Sequence, residues 1–190
     1  MVKAIIFDCF GVLAEDGWMP IKRKYVQTNS VMEQDIADLG KQNEYGFIDN
    51  VTHLTKMADL MQVDRAILGR ALNTRVPNQE LLDYIATRLK PHYKIGLLSN
   101  ANYDVLGDLF SPEHVKLIDA SVLSYESRLI KPDRRMFKLM AERLDVEIQD
   151  CVFIDDQERY CVAAEALGMR AIYFRSNKQC ERDLTAILNG

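Results

Sequence analysis

The sequence is short of nearly everything that would commit it to a membrane, a zinc site or nucleic acid. No apolar run in its 190 residues approaches the roughly 20 that a bilayer-spanning helix requires, so no membrane partner is expected. The opening MVKAIIFDCF has one lysine and a short apolar stretch cut off by an aspartate. It lacks the longer apolar core and the small-residue cleavage site of a secretory leader. Cysteine is sparse: Cys9, Cys151, Cys161 and Cys180 form no C-x-x-C pair, and His53, His92 and His114 add no cluster with zinc spacing. Such thiols read as reduced side chains of a cytoplasmic protein rather than a disulfide framework. Basic charge is not in excess either. The 24 Lys and Arg against 28 Asp and Glu leave a net charge of -4, so little is available to neutralise a phosphate backbone and no nucleic acid is expected. G-x-S-x-G, P-loop and G-x-G-x-x-G signatures are missing.

What is present is an ordinary globular composition, 48% apolar and 27% charged, on a chain long enough for one core domain with a small insertion. Short apolar runs alternate with longer helical patterns. Lys3 to Asp8, residues 94–98 (KIGLL), 121–125 (SVLSY, the weakest), 151–154 (CVFI) and 171–174 (AIYF) read as buried strands. Residues 79–90, 134–144 and 157–167 read as helices, the last stopped by Gly168. Strands alternating with helices imply an α/β fold with a Rossmann-like parallel sheet. The stretch from Asp16 onward breaks that rhythm. It offers helical runs at 31–42, 49–61 and 64–73, with Asp49 and Asp64 as N-caps. The expected organisation is a core of residues 1–15 and 77–190 with a helical cap of residues 16–76. Pro77 and Asn78 mark the return to the core.

In an open parallel sheet, ligands bind at the carboxyl ends of the strands, so the strand ends are where chemistry is expected. The first strand ends in Asp8, followed by Cys9-Phe10-Gly11. The second ends in Ser99-Asn100. Lys131-Pro132 lies in a loop after the third, and Asp155-Asp156 ends the fourth. If the strands are parallel, one rim carries them all. A carboxylate can attack as a nucleophile. Clustered carboxylates repel one another, and a hard cation such as Mg2+ relieves that repulsion while bridging to a phosphoryl oxygen. A lysine and a hydroxyl can hold the remaining oxygens as charge shifts. The set describes phosphoryl transfer better than acyl or hydride transfer.

The residues FDCFGVL (7–13), GLLSNA (96–101), the lysine of LIKPD (129–133) and FIDDQERYCVAAEALGM (153–169) resemble the four motifs of the haloacid-dehalogenase-like (HAD) hydrolase superfamily, in order. The inserted segment resembles that superfamily's helical cap. The resemblance implies a Rossmann-like core under a four-helix cap, and a Mg2+-dependent phosphatase or phosphotransferase acting on a small phosphorylated metabolite. It implies Asp8 as nucleophile and Ser99 and Lys131 as phosphoryl-binding groups, with Asn100 beside them. Asp156 matches the usual acidic metal ligand, Asp155 its helper, and the carbonyl of Phe10 the position that completes the metal shell. A monomer and a homodimer are both compatible with it.

Two positions depart from the pattern. Relatives that are phosphatases usually carry an acid-base aspartate two residues after the nucleophile, where this chain has Phe10, although some phosphatase-like relatives also lack it. Many relatives have Asp or Asn where it has Tyr160. These departures keep two other functions open: a catalytically weakened binding or regulatory module, and a 2-haloacid dehalogenase, which shares an aromatic at the third motif position. The basic-aromatic stretch Trp18 to Tyr25 reads as a solvated cap face, and Leu54, Met57, Leu60 and Met61 read as cap packing.

Overall fold

The computed structural model describes residues 1–26, 30–73 and 75–190; residues 27–29 and Thr74, both inside the expected cap, lie outside the described residues. Strand β1 (Ala4–Phe7) is followed by four helices, α1 (Trp18–Tyr25), α2 (Ser30–Glu44), α3 (Asn50–Met61) and α4 (Arg65–Asn73). The chain then alternates. Helix α5 (Gln79–Tyr84) leads to β2 (Lys94–Ser99), and the short helices α6 (Val105–Leu109) and α7 (Pro112–Val115) lead to β3 (Ala120–Leu123). Helices α8 (Ser124–Ser127) and α9 (Arg134–Arg143) precede β4 (Cys151–Asp155). After it come α10 (Glu158–Glu165), β5 (Arg170–Tyr173) and α11 (Asn177–Asn189).

All strand pairs are parallel, in the order β3-β2-β1-β4-β5. The α/β, Rossmann-like reading of the sequence holds. Because side chains alternate along a strand, each inner strand feeds two cores. Ile5, Phe7, Ile95, Leu97, Val152 and Ile154 meet Leu81, Ile85, Cys180 and Leu184 on one face. Ala4, Ile6, Leu98 and Phe153 meet Met136, Phe137, Met140 and Ala164 on the other. Strands buried on both faces explain why the runs at 3–8 and 151–154 are almost continuously apolar. Gly96 sets the depth of one contact: a Cβ there would lie 2.7 Å from the Met140 sulfur and 3.0 Å from Leu144 Cδ1.

The elements follow the sequence signals closely, with local differences. Residues 124–125, expected to extend the third strand, curl into α8. Ser124 Oγ and Tyr125 N both donate to the Ala101 carbonyl, at 2.9 and 3.0 Å, and pull the chain off the sheet. The helix expected over 79–90 widens after Tyr84 into a π-helical turn, where Lys90 N reaches Ile85 O. Gly168 closes α10 with a φ of +93°. Asp49 and Asp64 cap α3 and α4, accepting from Thr52 N and Ala66 N at 2.7 Å each.

Helices α1 to α4 enclose their own apolar cluster of Ile21, Ile36, Met57, Ala58, Met61 and Leu68, with Leu54 and Leu60 against it. Lys22 pairs with Glu33 at 2.7 Å and Lys24 lies over Tyr25. Two linkers join this cluster to the sheet, and they pair with each other as an antiparallel ribbon. Glu15 N donates to Val76 O, Asn78 N donates to Leu13 O, and Ala14 bridges Pro77. We propose residues 16–76 as the cap on that ground. No helix of the described residues is long and apolar enough to cross a membrane.

Candidate active site

β1, β2 and β4 are adjacent and parallel, so Asp8, Ser99 and Asp155-Asp156 emerge on one rim at the point where the strand order reverses. The loop after α8 brings Lys131 to the same place; its peptide bond to Pro132 is cis. Lys131 Nζ lies 2.8 Å from Asp8 Oδ1 and 2.6 Å from Asp155 Oδ2, and is almost wholly buried. Asp8 Oδ1 also accepts the Cys9 N–H at 2.7 Å. Asp155 Oδ1 accepts from Gln157 N at 2.8 Å, so both Asp155 oxygens are engaged.

Asp156 differs. Its Oδ1 is buried without a hydrogen-bond partner, and so is Ser99 Oγ. A buried polar atom left unpaired is costly and asks for a partner. Gly11 makes room for Asp156: its φ is +84°, and a Cβ there would fall on Asp156 Oδ2. The turn between Asp8 and Ala14 is closed by Val12 N and Ala14 N, which donate to Cys9 O, and by Gly11 N, which donates to Ala14 O.

Carboxylate oxygens of Asp8, Asp155 and Asp156 come within 4.8 Å of one another. Three carboxylates against the one ammonium of Lys131 leave about two negative charges when all are ionised. A divalent hard cation fits that charge and the all-oxygen donor set. The titration directions reflect the crowding. Burial pushes Asp8 up to about 7; Lys131 opposes this, while Asp155 and Asp156 add to it. Asp156 is raised to about 6 by burial and by Asp155. Burial alone would lower Lys131, but Asp8 and Asp155 more than offset it and the ammonium is held charged. Burial holds the Cys9 thiol protonated, and the four cysteines are free and buried.

Both departures from the expected pattern have structural partners. Phe10 is covered by Arg75, from the returning cap linker, whose guanidinium lies 4.0 Å above the ring and donates to Tyr103 Oη at 2.7 Å. Tyr160 is buried, with its ring face 4.9 Å from the Lys131 ammonium. A π-face thus stands beside the lysine where the expected pattern has Asp or Asn. Asn100 holds the lysine's backbone: its Oδ1 accepts from Lys131 N at 2.7 Å and its Nδ2 donates to Lys131 O at 3.3 Å. That Nδ2 also lies 3.4 Å from Tyr160 Oη and 3.4 Å from Glu44 Oε2.

Glu44, Arg75 and Tyr103 were not among the site residues expected from the sequence. Glu44 and Arg75 come from the segment between β1 and α5, Tyr103 from the loop after β2, and no local motif marks them. Glu44 reads in sequence only as a charge near the end of a helix.

A family model for haloacid dehalogenase-like hydrolases matches residues 2–168. A solved HAD family enzyme of Bacteroides thetaiotaomicron, in complex with magnesium and inorganic phosphate, is 26% identical; the match covers 93% of this chain and 96% of that one, with a TM-score of 0.70. The (S)-2-haloacid dehalogenase 1 of Pseudomonas sp. (strain CBS-3) is 22% identical over 95% of this chain and 88% of its own length. Drimenol cyclase drtB of Aspergillus calidoustus is 28% identical over half of this chain, which spans only 18% of that protein.

Proposed function

Because the chain belongs to the haloacid dehalogenase-like hydrolases, we propose that it is a Mg2+-dependent phosphatase or phosphotransferase acting on a small phosphorylated metabolite. The observation that carries this reading is the convergence of Asp8, Lys131, Asp155 and Asp156 beside two buried oxygens that lack partners, Ser99 Oγ and Asp156 Oδ1. The solved relative that binds magnesium and phosphate supports it.

Asp8, Asp156 and the Phe10 carbonyl would hold the ion, with Asp155 adjoining them. Bound there, Mg2+ neutralises the carboxylates and draws charge from a phosphoryl oxygen. The chain's own groups do the rest. Lys131 and Cys9 N both engage Asp8 Oδ1, which orients the carboxylate and leaves Oδ2 to attack phosphorus in line. Lys131 and Ser99 hold equatorial phosphoryl oxygens. Asn100 fixes the Lys131 loop and faces the bound molecule. The product of the first step is an aspartyl-phosphate on Asp8, which water then hydrolyses.

The test is direct. Incubation with Mg2+ and acetyl phosphate is expected to give a phosphoenzyme in the wild type and none in Asp8→Asn. Turnover that survives in Asp8→Asn would end the proposal, and phosphate binding with no phosphoenzyme would mark a binding module instead. The dehalogenase relative suggests Asp8 attacking carbon without a metal. Three crowded carboxylates would repel an anionic haloacid there, and chloride release in the presence of a chelator is the result that would favour it.

A further inference from the structure

Phe10 cannot give or take a proton, and Arg75 seals its ring. The leaving oxygen therefore needs a proton from elsewhere. Outside the three clustered aspartates, Glu44 is the carboxyl among the described residues that hydrogen-bonds a strand-tip residue of the site, through Asn100. It is the last residue of α2, so the cap carries it to the rim.

Its neighbours are pinned to the core on both sides. Asn43 contacts Asn102 and is itself held by Ile48 O and Asn50 Oδ1. Arg128 Nη1 donates to Tyr45 O at 3.0 Å. Gly46, at a φ of +73°, leaves the space that the Arg128 guanidinium fills. Contacts at Asn43 and Tyr45 thus flank Glu44 on either side. The Tyr160 hydroxyl lies near enough to feel the charge of Glu44, and the groups that favour the ionised carboxylate are Lys131 from the core loop, Arg159 from α10, Lys41 from its own helix and the Asn100 amide. Burial outweighs all four and raises Glu44 to about 7, the range in which a carboxyl both donates and accepts protons at neutral pH.

We propose that Glu44 is the general acid and base of this site, supplied by the cap in place of the residue that Phe10 displaces. The inference rests on the phosphatase reading above. In the first step Asp8 Oδ2 bonds to phosphorus, the bond to the ester oxygen breaks, and the Glu44 proton passes to that oxygen. In the second, water attacks phosphorus, its proton passes to the Glu44 carboxylate, and Asp8 leaves as a free carboxylate. One ester and one water give one alcohol and one inorganic phosphate, and Glu44 ends as it began.

The experiment compares wild type, Glu44→Gln, Glu44→Asp and Asp16→Asn with Mg2+ on acetyl, p-nitrophenyl, phenyl and alkyl phosphates. Asp16 is the rival carboxyl, because it is close enough to Asp156 to raise its pKa. Glu44→Gln keeps an acceptor for Asn100. It is expected to form phosphoenzyme from acetyl phosphate at the wild-type rate, because that leaving group needs no acid. It is expected to lose about 10²-fold or more on alkyl phosphates, within the usual range for general acid catalysis, and to hydrolyse its phosphoenzyme slowly. Glu44→Asp recovers part of both losses, and Asp16→Asn behaves as wild type. An unchanged leaving-group dependence and phosphoenzyme lifetime in Glu44→Gln would overturn the inference, as would the defect appearing in Asp16→Asn. No Asp8-dependent phosphoenzyme in the wild type would instead defeat the underlying reading.

Discussion

Gly11 meets two demands that no other residue type meets together. Its backbone is left-handed, and its missing side chain is where the Asp156 carboxylate sits. Gly11→Ala is expected to cost about 2 kcal/mol of stability from backbone strain and overlap and to weaken Mg2+ binding; thermal unfolding and calorimetric titration read the two effects separately. The neighbouring position offers a complementary gain. Phe10→Asp, made in the Glu44→Gln background, is expected to restore alkyl-phosphate turnover by about tenfold or more, measured as kcat. A folded, metal-binding double variant with no recovery would show that position 10 does not face the leaving oxygen. The raised carboxyls also set a pH dependence. Asp8, Asp156 and Glu44 titrate at about 7, 6 and 7 in the folded protein, and near 4 when unfolded. Between those values the folded state binds more protons, so its stability falls as pH rises. In chelator, the melting temperature is expected to be lower at pH 8 than at pH 5, with Mg2+ flattening the profile. A melting temperature that climbs toward pH 8 in chelator contradicts this.

Among the elements, the linker ribbon ties the Asp8 turn, helices α1 to α4 and the sheet together. Asn78 caps α5 through Leu81 N, donates to Val12 O and bonds Asn177 of α11. Asn78→Ala is expected to cost about 1–2 kcal/mol in chemical denaturation, with the aspartate cluster unchanged. Legibility in the sequence followed the physics of each element. Strands β1 and β4 were plain because burial on both faces forbids polar residues there. The tips Asp8, Ser99 and Asp155 were plain because each is a polar residue that ends an apolar run, although all three are buried. Helix α11 went unassigned although Cys180, Leu184, Ile187 and Leu188 keep helical spacing and pack on the core, so its signal was present. Helices α6 to α8 carry too few residues for any period to show. Glu44 and Arg75 could not be read from sequence, because their meaning arises only when the cap folds back over the strand tips.

At the scale of the molecule, two cores share the sheet and a third lies wholly inside α1 to α4. The sheet therefore does not need the cap for its own burial. A chain joining Glu15 to Val76 through a two-residue turn is expected to fold cooperatively and bind Mg2+. It is also expected to lose turnover on alkyl phosphates, because Glu44 is gone. Circular dichroism melting and metal titration test the first claim and a phosphate-ester panel the second; failure of the sheet to fold would show that the cap is part of the core. The ribbon has a mechanical consequence. Outgoing and returning chain are laced side by side immediately beyond the Asp8 turn, so any displacement of α1 to α4 would reach that turn through the ribbon first. A molecule that shifted those helices would thereby shift the carboxylate at the end of β1.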